Sequence, residues 1–171
     1  MPQINSLQMF DHKVRSHSLS KVRSALCEMV EEAKVSPIRQ GFFPIARRAL
    51  AVRNDEVYWL AATVLSYFVE KYPAQLLRII RSVAQDSSDD QRTALAKCIL
   101  EHLMENHFDD VINMVSQETD AELRYALVDI LARCWPFGEA EKKSNWERVE
   151  SLVREYPQFS ERANLSFMLR T

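Results

Sequence analysis

Residues 54–72 read NDEVYWLAATVLSYFVEKY, and within that stretch Val57, Leu60, Ala61, Val64, Leu65 and Phe68 recur at steps of three and four. A helix turns once in about 3.6 residues, so these six side chains fall on one stripe. A half-buried strand would need strict alternation, which the stretch lacks. The same stripe returns as Leu123, Ala126, Leu127, Ile130, Leu131 and Cys134, and in a shifted form as Leu95, Ala96, Ile99, Leu100, Leu103 and Met104. Three related amphipathic helices are predicted.

The relation extends beyond single helices. With Leu65 and Leu100 as anchors, Leu76, Leu77 and Ile80 follow the first at the offsets where Val111, Ile112 and Val115 follow the second. An earlier unit anchors on Val30, with Leu26 and Met29 before it and Phe42 and Ile45 after it. A long helix and a shorter one therefore recur together, with anchors Val30, Leu65, Leu100 and Leu131 spaced by 35, 35 and 31 residues.

Boundary signals agree with this division. Ser88 with Gln91, Thr119 with Glu122 and Ser144 with Glu147 match the capping box, and Asn54 is placed to cap its own helix. Pro37, Pro73 and Pro157 stand where helices should begin or end, since proline is tolerated in a first turn and not in an interior. The predicted helices are 18–34, 38–52, 55–71, 74–85, 89–106, 108–117, 120–134, 144–155 and 159–169. Residues 1–17 carry no sustained period and read as an arm or a short capping helix. Leu165, Met168 and Leu169 mark the last helix as the closing element of an array whose end would otherwise expose apolar surface.

Composition narrows the function classes. The chain has 171 residues, 47% apolar and 27% charged, with two glycines. Phosphate-cradling loops spend two or three glycines within a few residues, and Gly41 and Gly138 cannot supply them. The net charge of −2 is unevenly spread: residues 1–85 hold 12 Lys and Arg against 7 Asp and Glu, and residues 86–171 hold 10 against 17. Cys27, Cys98 and Cys134 are isolated, without a CxxC pair, and are expected to be small buried thiols in a reducing compartment. With no basic leader followed by an apolar run and no long uncharged segment, the expected location is cytoplasmic.

Chemistry-bearing clusters are sparse. No GxSxG elbow or local cysteine signature is present, and no enzymatic activity, cofactor or metal is expected. His12 and His17, like His102 and His107, are five apart, which separates them by about 140° around a helix. His102, Glu105 and His107 could meet a metal only if the helix ended between them; a solvated helix end is the simpler reading. Glu28, Glu31 and Glu32, and Asp86, Asp89 and Asp90, read as solvated charge on a helix face and at an inter-helix turn. Tyr58, Trp59 and Tyr67 lie off the main stripe and are expected to pack between successive units, with a binding surface as the alternative. Trp135 and Phe137 flank Pro136 in a loop, where aromatic residues point to a contact surface.

Paired helices at a spacing in the thirties, over about residues 18–156, resemble the HEAT-like, armadillo-type α-solenoid repeats. That resemblance implies an all-α fold, an α-α superhelix of about four helical hairpins with a C-terminal capping helix. It divides the chain into a segment 1–17 and a single repeat domain 18–171. It further implies that the second helices line a concave face. Their solvent-facing positions are Arg47 and Arg48, then Gln75, Arg78 and Ser82, then Asp110, Asn113 and Gln117, a polar surface of graded charge.

The function expected on that basis is non-catalytic binding of another protein, as an adaptor, a regulator or an inhibitor of the immunity-protein kind, through this surface or the Trp135–Gly138 loop. HEAT-like repeats also build DNA alkylation-repair glycosylases. Arg39, Arg47, Arg48, Arg53, Lys71, Arg78 and Arg81 would then be candidates for a basic groove, opposed by the acidic second half.

Overall fold

A computed structural model describes residues 5–134 and 140–159, with the side chains of 140–143 excepted. Among the described residues the regular structure is entirely helical. The chain divides into two compact units, Met1–Tyr72 and Pro73–Thr171.

The first unit holds α1 (Ser6–Arg15), α2 (Leu19–Val35), α3 (Phe42–Ala49) and α4 (Asp55–Ser66). The segment before Ser18 is thus largely a helix, capped by Asn5, whose side-chain oxygen accepts from Leu7 N–H at 3.3 Å. It packs through Phe10 and Val14, with the Phe10 ring edge-on to Phe42 at 5.6 Å between centroids. Gly41 receives it closely: a Cβ there would lie 2.8 Å from Leu7 Cδ1. α2 and α4 run in the same direction, since Arg23 pairs with Glu56 at 2.7 Å near their starts and Lys34 lies near Tyr67 at their ends.

Two helices of this unit are shorter than the periodicity predicts. α3 begins at Phe42 and not at residue 38, because Pro44 lacks an N–H and is tolerated only in a first turn. α4 ends at Ser66 and not at 71, and the chain tightens into turns in which Tyr67, Phe68 and Val69 N–H donate three residues back. Thr63 and Ser66 hydroxyls donate to the carbonyls of Trp59 and Thr63 at 2.8 and 2.6 Å, competing with the helical ladder there. Asn54 caps α4 as predicted, its side-chain oxygen accepting from Val57 N–H at 3.0 Å. On α4 the buried face includes Tyr58, whereas Leu60 is half-buried.

The second unit holds α5 (Pro73–Val83), α6 (Asp89–Ala94), a π segment (Leu95–Leu100), α7 (Glu101–Asn106), α8 (Phe108–Ser116), α9 (Ala121–Ala132) and α10 (Ala140–Val153). Pro73 occupies the first position of α5. The predicted helix over 89–106 is continuous in place but not in winding, because Glu101 N–H reaches back five residues to the Ala96 carbonyl. The wider turn carries the shifted stripe: Leu95, Ala96, Ile99, Leu100, Leu103 and Met104 are all buried. Ser88 and Gln91 form the predicted capping box.

The other two predicted capping boxes are not formed. Asp120 caps α9, accepting from Leu123 N–H at 2.8 Å, while Glu122 accepts from the Gln85 amide. Asp120, one residue closer to the helix, takes the position expected of Thr119. Ser144 lies inside α10, which starts four residues earlier, at Ala140.

α9 is the centre of this unit. Every residue from Ala126 to Ala132 is buried, and α5, α6, the π segment, α8 and α10 all contact it. A helix covered on all sides must be apolar all round or pair what is polar, and Asp129 is the residue that has to be paired. α6 and α9 run in the same direction, joined by Arg92–Asp129 and by the Cys134 thiol donating to the Ala96 carbonyl, 37 and 38 residues apart. The sequence register equates Leu100 with Leu131, a spacing of 31, so lateral neighbours sit six or seven residues away from that alignment. The chain after α10 closes on Tyr125, whose ring meets Tyr156 at 5.5 Å and Phe159 at 4.9 Å. Beyond Phe159 the predicted last helix, with Leu165, Met168 and Leu169, lies outside the described residues.

Candidate functional site

The surface helices place the predicted contact residues as follows. In the first unit Arg47 and Arg48 are exposed on α3, where Phe42, Ile45, Ala46 and Ala49 face inward. Arg48 is held by the Asp11 carboxylate of α1. Arg47 has no ion pair among the described residues.

In the second unit Gln75, Arg78 and Ser82 are exposed on α5, and Asp110, Asn113 and Gln117 are exposed on and just after α8. The Ser82 hydroxyl turns back to the Ile79 carbonyl at 2.8 Å. Arg78 and Asp110 have no ion pair among the described residues. Trp135 and Phe137 lie outside the described residues.

Charge pairing elsewhere is dense. Arg81 Nε meets Glu118 Oε2 at 2.7 Å, and Glu118 also accepts from Thr119 and Asp120 N–H at 3.0 and 3.1 Å. These bonds, Arg81 first, hold the Glu118 carboxyl below its usual range. Asp129 accepts from Arg92 Nη1 at 2.9 Å and from Arg133 Nε and Nη2 at 3.0 and 3.1 Å. Arg133 reaches on to Asp89 and Thr93, tying the start of α6 to the end of α9. Arg124 donates to the last carbonyls of α8, Val115 and Ser116, and pairs with Glu155.

The carboxylates raised as acid–base candidates are engaged or solvated. Glu28 takes Lys13 Nζ and the Ser24 hydroxyl, each at 2.9 Å, and is held below its usual range by those bonds, the Lys13 one first. Glu31 pairs with Lys34, Glu32 with Arg39 and Asp89 with Arg133, while Asp86 and Asp90 are exposed. His12, His17 and His102 are exposed and His107 is half-buried. Among the described residues no three His, Cys, Asp or Glu side chains are grouped to hold a metal ion.

Other aromatic and thiol expectations divide. Tyr58 is buried, Trp59 half-buried and Tyr67 39% exposed, so only the last presents an open face. Of the cysteines, Cys134 is buried, but Cys27 and Cys98 are half-buried. Both flank the apolar stripes of their helices at positions a quarter-turn from the core, which isolated neighbours in the sequence do not reveal. Burial pushes the Cys134 thiol far up.

The seven cations of the basic-groove reading are unequally free. Arg39 pairs with Glu32 at 2.6 Å and lies over the Phe42 ring, Arg48 pairs with Asp11, Arg81 with Glu118, and Lys71 lies over Tyr72. Arg47, Arg53 and Arg78 have no ion pair among the described residues.

Asp129 and Glu118 are the polar residues that sequence reasoning passed over. For Asp129 a signal exists: an acid inside the apolar run Leu127–Ala132 with an arginine four residues on. Glu118 has no such signal, because its partner is 37 residues away. Comparison of the chain with protein-family models, with curated proteins and with solved structures finds no match.

Proposed function

We propose that the chain is a non-catalytic protein-binding module, an array of HEAT-like helical hairpins that holds a partner on the exposed faces of its shorter helices. Side-chain links at one separation support the repeat reading: Arg48–Asp11 in the first unit, and Arg81–Glu118, Gln85–Glu122 and Arg92–Asp129 in the second, all join residues 37 apart. Stacked copies of one unit produce such a constant offset.

The observation that carries the binding reading is the state of Arg47 and Arg78. Folded surfaces pair many of their charges, and here most arginines have a carboxylate. These two, on the predicted ridges, are exposed and unpaired among the described residues. Unpaired, planar guanidinium groups on rigid helices are suited to a partner's carboxylates and set encounter rate and orientation. An adaptor, a regulator and an inhibitor would all use such groups. The duplex-binding reading has less support, since Arg39, Arg48 and Arg81 already neutralise carboxylates of this chain.

The test is affinity capture of the tagged chain from its host's lysate with and without nuclease. A stoichiometric protein that survives nuclease is the expected result. Recovery that depends on nucleic acid would overturn the reading.

A further inference from the structure

α1 contacts α2 and α3 in the manner of an amphipathic helix bound to a receiving face. Leu7, Phe10 and Val14 stand at i, i+3 and i+7, with Asp11 at i+4, the spacing by which such a helix presents its anchors. The receiving side is matched to these positions. Leu7 fits against Gly41, where a Cβ would lie 2.8 Å from its Cδ1. Gly41 has φ −62° and ψ −15°, which any residue adopts, so Leu7 requires the missing side chain and not an unusual backbone. Phe10 is buried edge-on to Phe42, and the Arg39 guanidinium lies over both rings, 5.8 and 4.6 Å from their centroids. Arg39 also donates to the Ser6 hydroxyl at 2.7 Å. Asp11 pairs with Arg48 of α3, and Lys13 with Glu28 of α2 at 2.9 Å.

The attachment is slight for a helix so closely matched. α1 buries Phe10 and Val14, against four side chains on α3 and six on α4. Gln8, Met9, His12 and Arg15 are exposed along its outer side. Ten residues are too few to hold a helix in water without packing. The ion pairs that add to the packing are partly open to solvent and are weakened by salt.

We propose that the face of α2 and α3 beneath α1 is a helix-binding site, that α1 fills it as an autoinhibitory contact, and that the partner inserts an amphipathic helix with large apolar residues at i, i+3 and i+7 and an acid at i+4. This inference rests on the protein-binding reading above and adds a second face and the form of the partner. The face offers a recess for a branched side chain, an aromatic edge and a cation placed for one carboxylate. An extended strand or a phosphate backbone does not present that set. Departure of α1 also frees Arg48 beside Arg47, so the entering helix and the exposed ridge of α3 act together. The joint of Ser16, His17 and Ser18 keeps α1 at an effective concentration of roughly millimolar or above, and an external helix displaces it only by binding more tightly.

The test is fluorescence anisotropy of a labelled peptide with the sequence of residues 5–18, titrated with the full chain. Phe10→Ala in the chain weakens the internal competitor while the peptide keeps its phenylalanine, so this variant should bind the peptide about tenfold or more tighter than the parent does. An Asp11→Arg peptide should bind the Phe10→Ala chain about tenfold more weakly, and Arg48→Asp added to that chain should restore binding. Gly41→Leu added instead should abolish it. Hydrogen exchange on the parent chain needs no variant: α1 amides should exchange together, about tenfold or more faster than those of α4, and faster still in about 0.5 M salt. No binding by a folded Phe10→Ala chain, equal binding by parent and variant, or binding indifferent to the Asp11 and Arg48 exchange or to Gly41→Leu overturns the inference and leaves protein binding, which capture tests, standing. So does α1 exchange as slow as that of α4, which is the deciding result where Phe10→Ala does not fold.

Discussion

Asp129 is 2% exposed in the middle of the most buried helix, and it accepts three hydrogen bonds from arginine. A buried carboxylate without partners is costly; paired with Arg92 and Arg133, Asp129 joins α6 to α9. Removal of one partner leaves charge buried, so Asp129→Ala should cost about 3 to 5 kcal/mol in urea unfolding. A loss under about 1 kcal/mol would mean that water compensates the arginines. At Cys134 the thiol is buried and stays protonated, its pKa raised by desolvation from an ordinary 9.0. A raised value in the folded chain contributes stability that is fully present below pH 9 and is lost as pH rises above it, because only the unfolded thiol ionises. Stability should therefore fall on the alkaline side in the parent chain and less steeply in Cys134→Ala. Thiol titration should show Cys27 and Cys98 reacting first and Cys134 only as the chain unfolds.

At the level of elements, helix positions follow from periodicity and helix ends follow from particular side chains. The stripe from Val57 to Phe68 and its relatives locate α4, the π-wound helix and α9, because burial of one face is a property of local spacing. The early end of α4 depends on where two hydroxyls donate, and the late start of α3 on one proline in its first turn. The cap of α9 depends on a competition between adjacent residues, Thr119 and Asp120, that pattern matching resolves in favour of the wrong one. That competition is measurable: Asp120→Ala should destabilise the chain by about 1 kcal/mol in thermal or urea unfolding, whereas Thr119→Ala should be near neutral. Equal losses would show that both side chains share the cap. The widened turn at Leu95–Leu100 has no signature in spacing alone, since the residues it buries are those an ordinary helix would also offer.

For the whole molecule, the all-helical composition of the described residues was legible from scarce glycine and repeated stripes. The exposure of the candidate contact residues was legible too, from positions opposite the apolar stripes of α3, α5 and α8, and all eight that are described are exposed. Which of them are free was not, because Arg48 finds a carboxylate 37 residues away, a relation set by packing. The free pair, Arg47 and Arg78, is thus a product of sequence and fold together. The most direct test of their role compares capture by the parent chain and by the double variant Arg47→Glu, Arg78→Glu, with matched circular dichroism and melting curves to establish that both fold. The account predicts that the double variant melts as the parent does and loses the nuclease-resistant partner; undiminished capture of the same partner would contradict it.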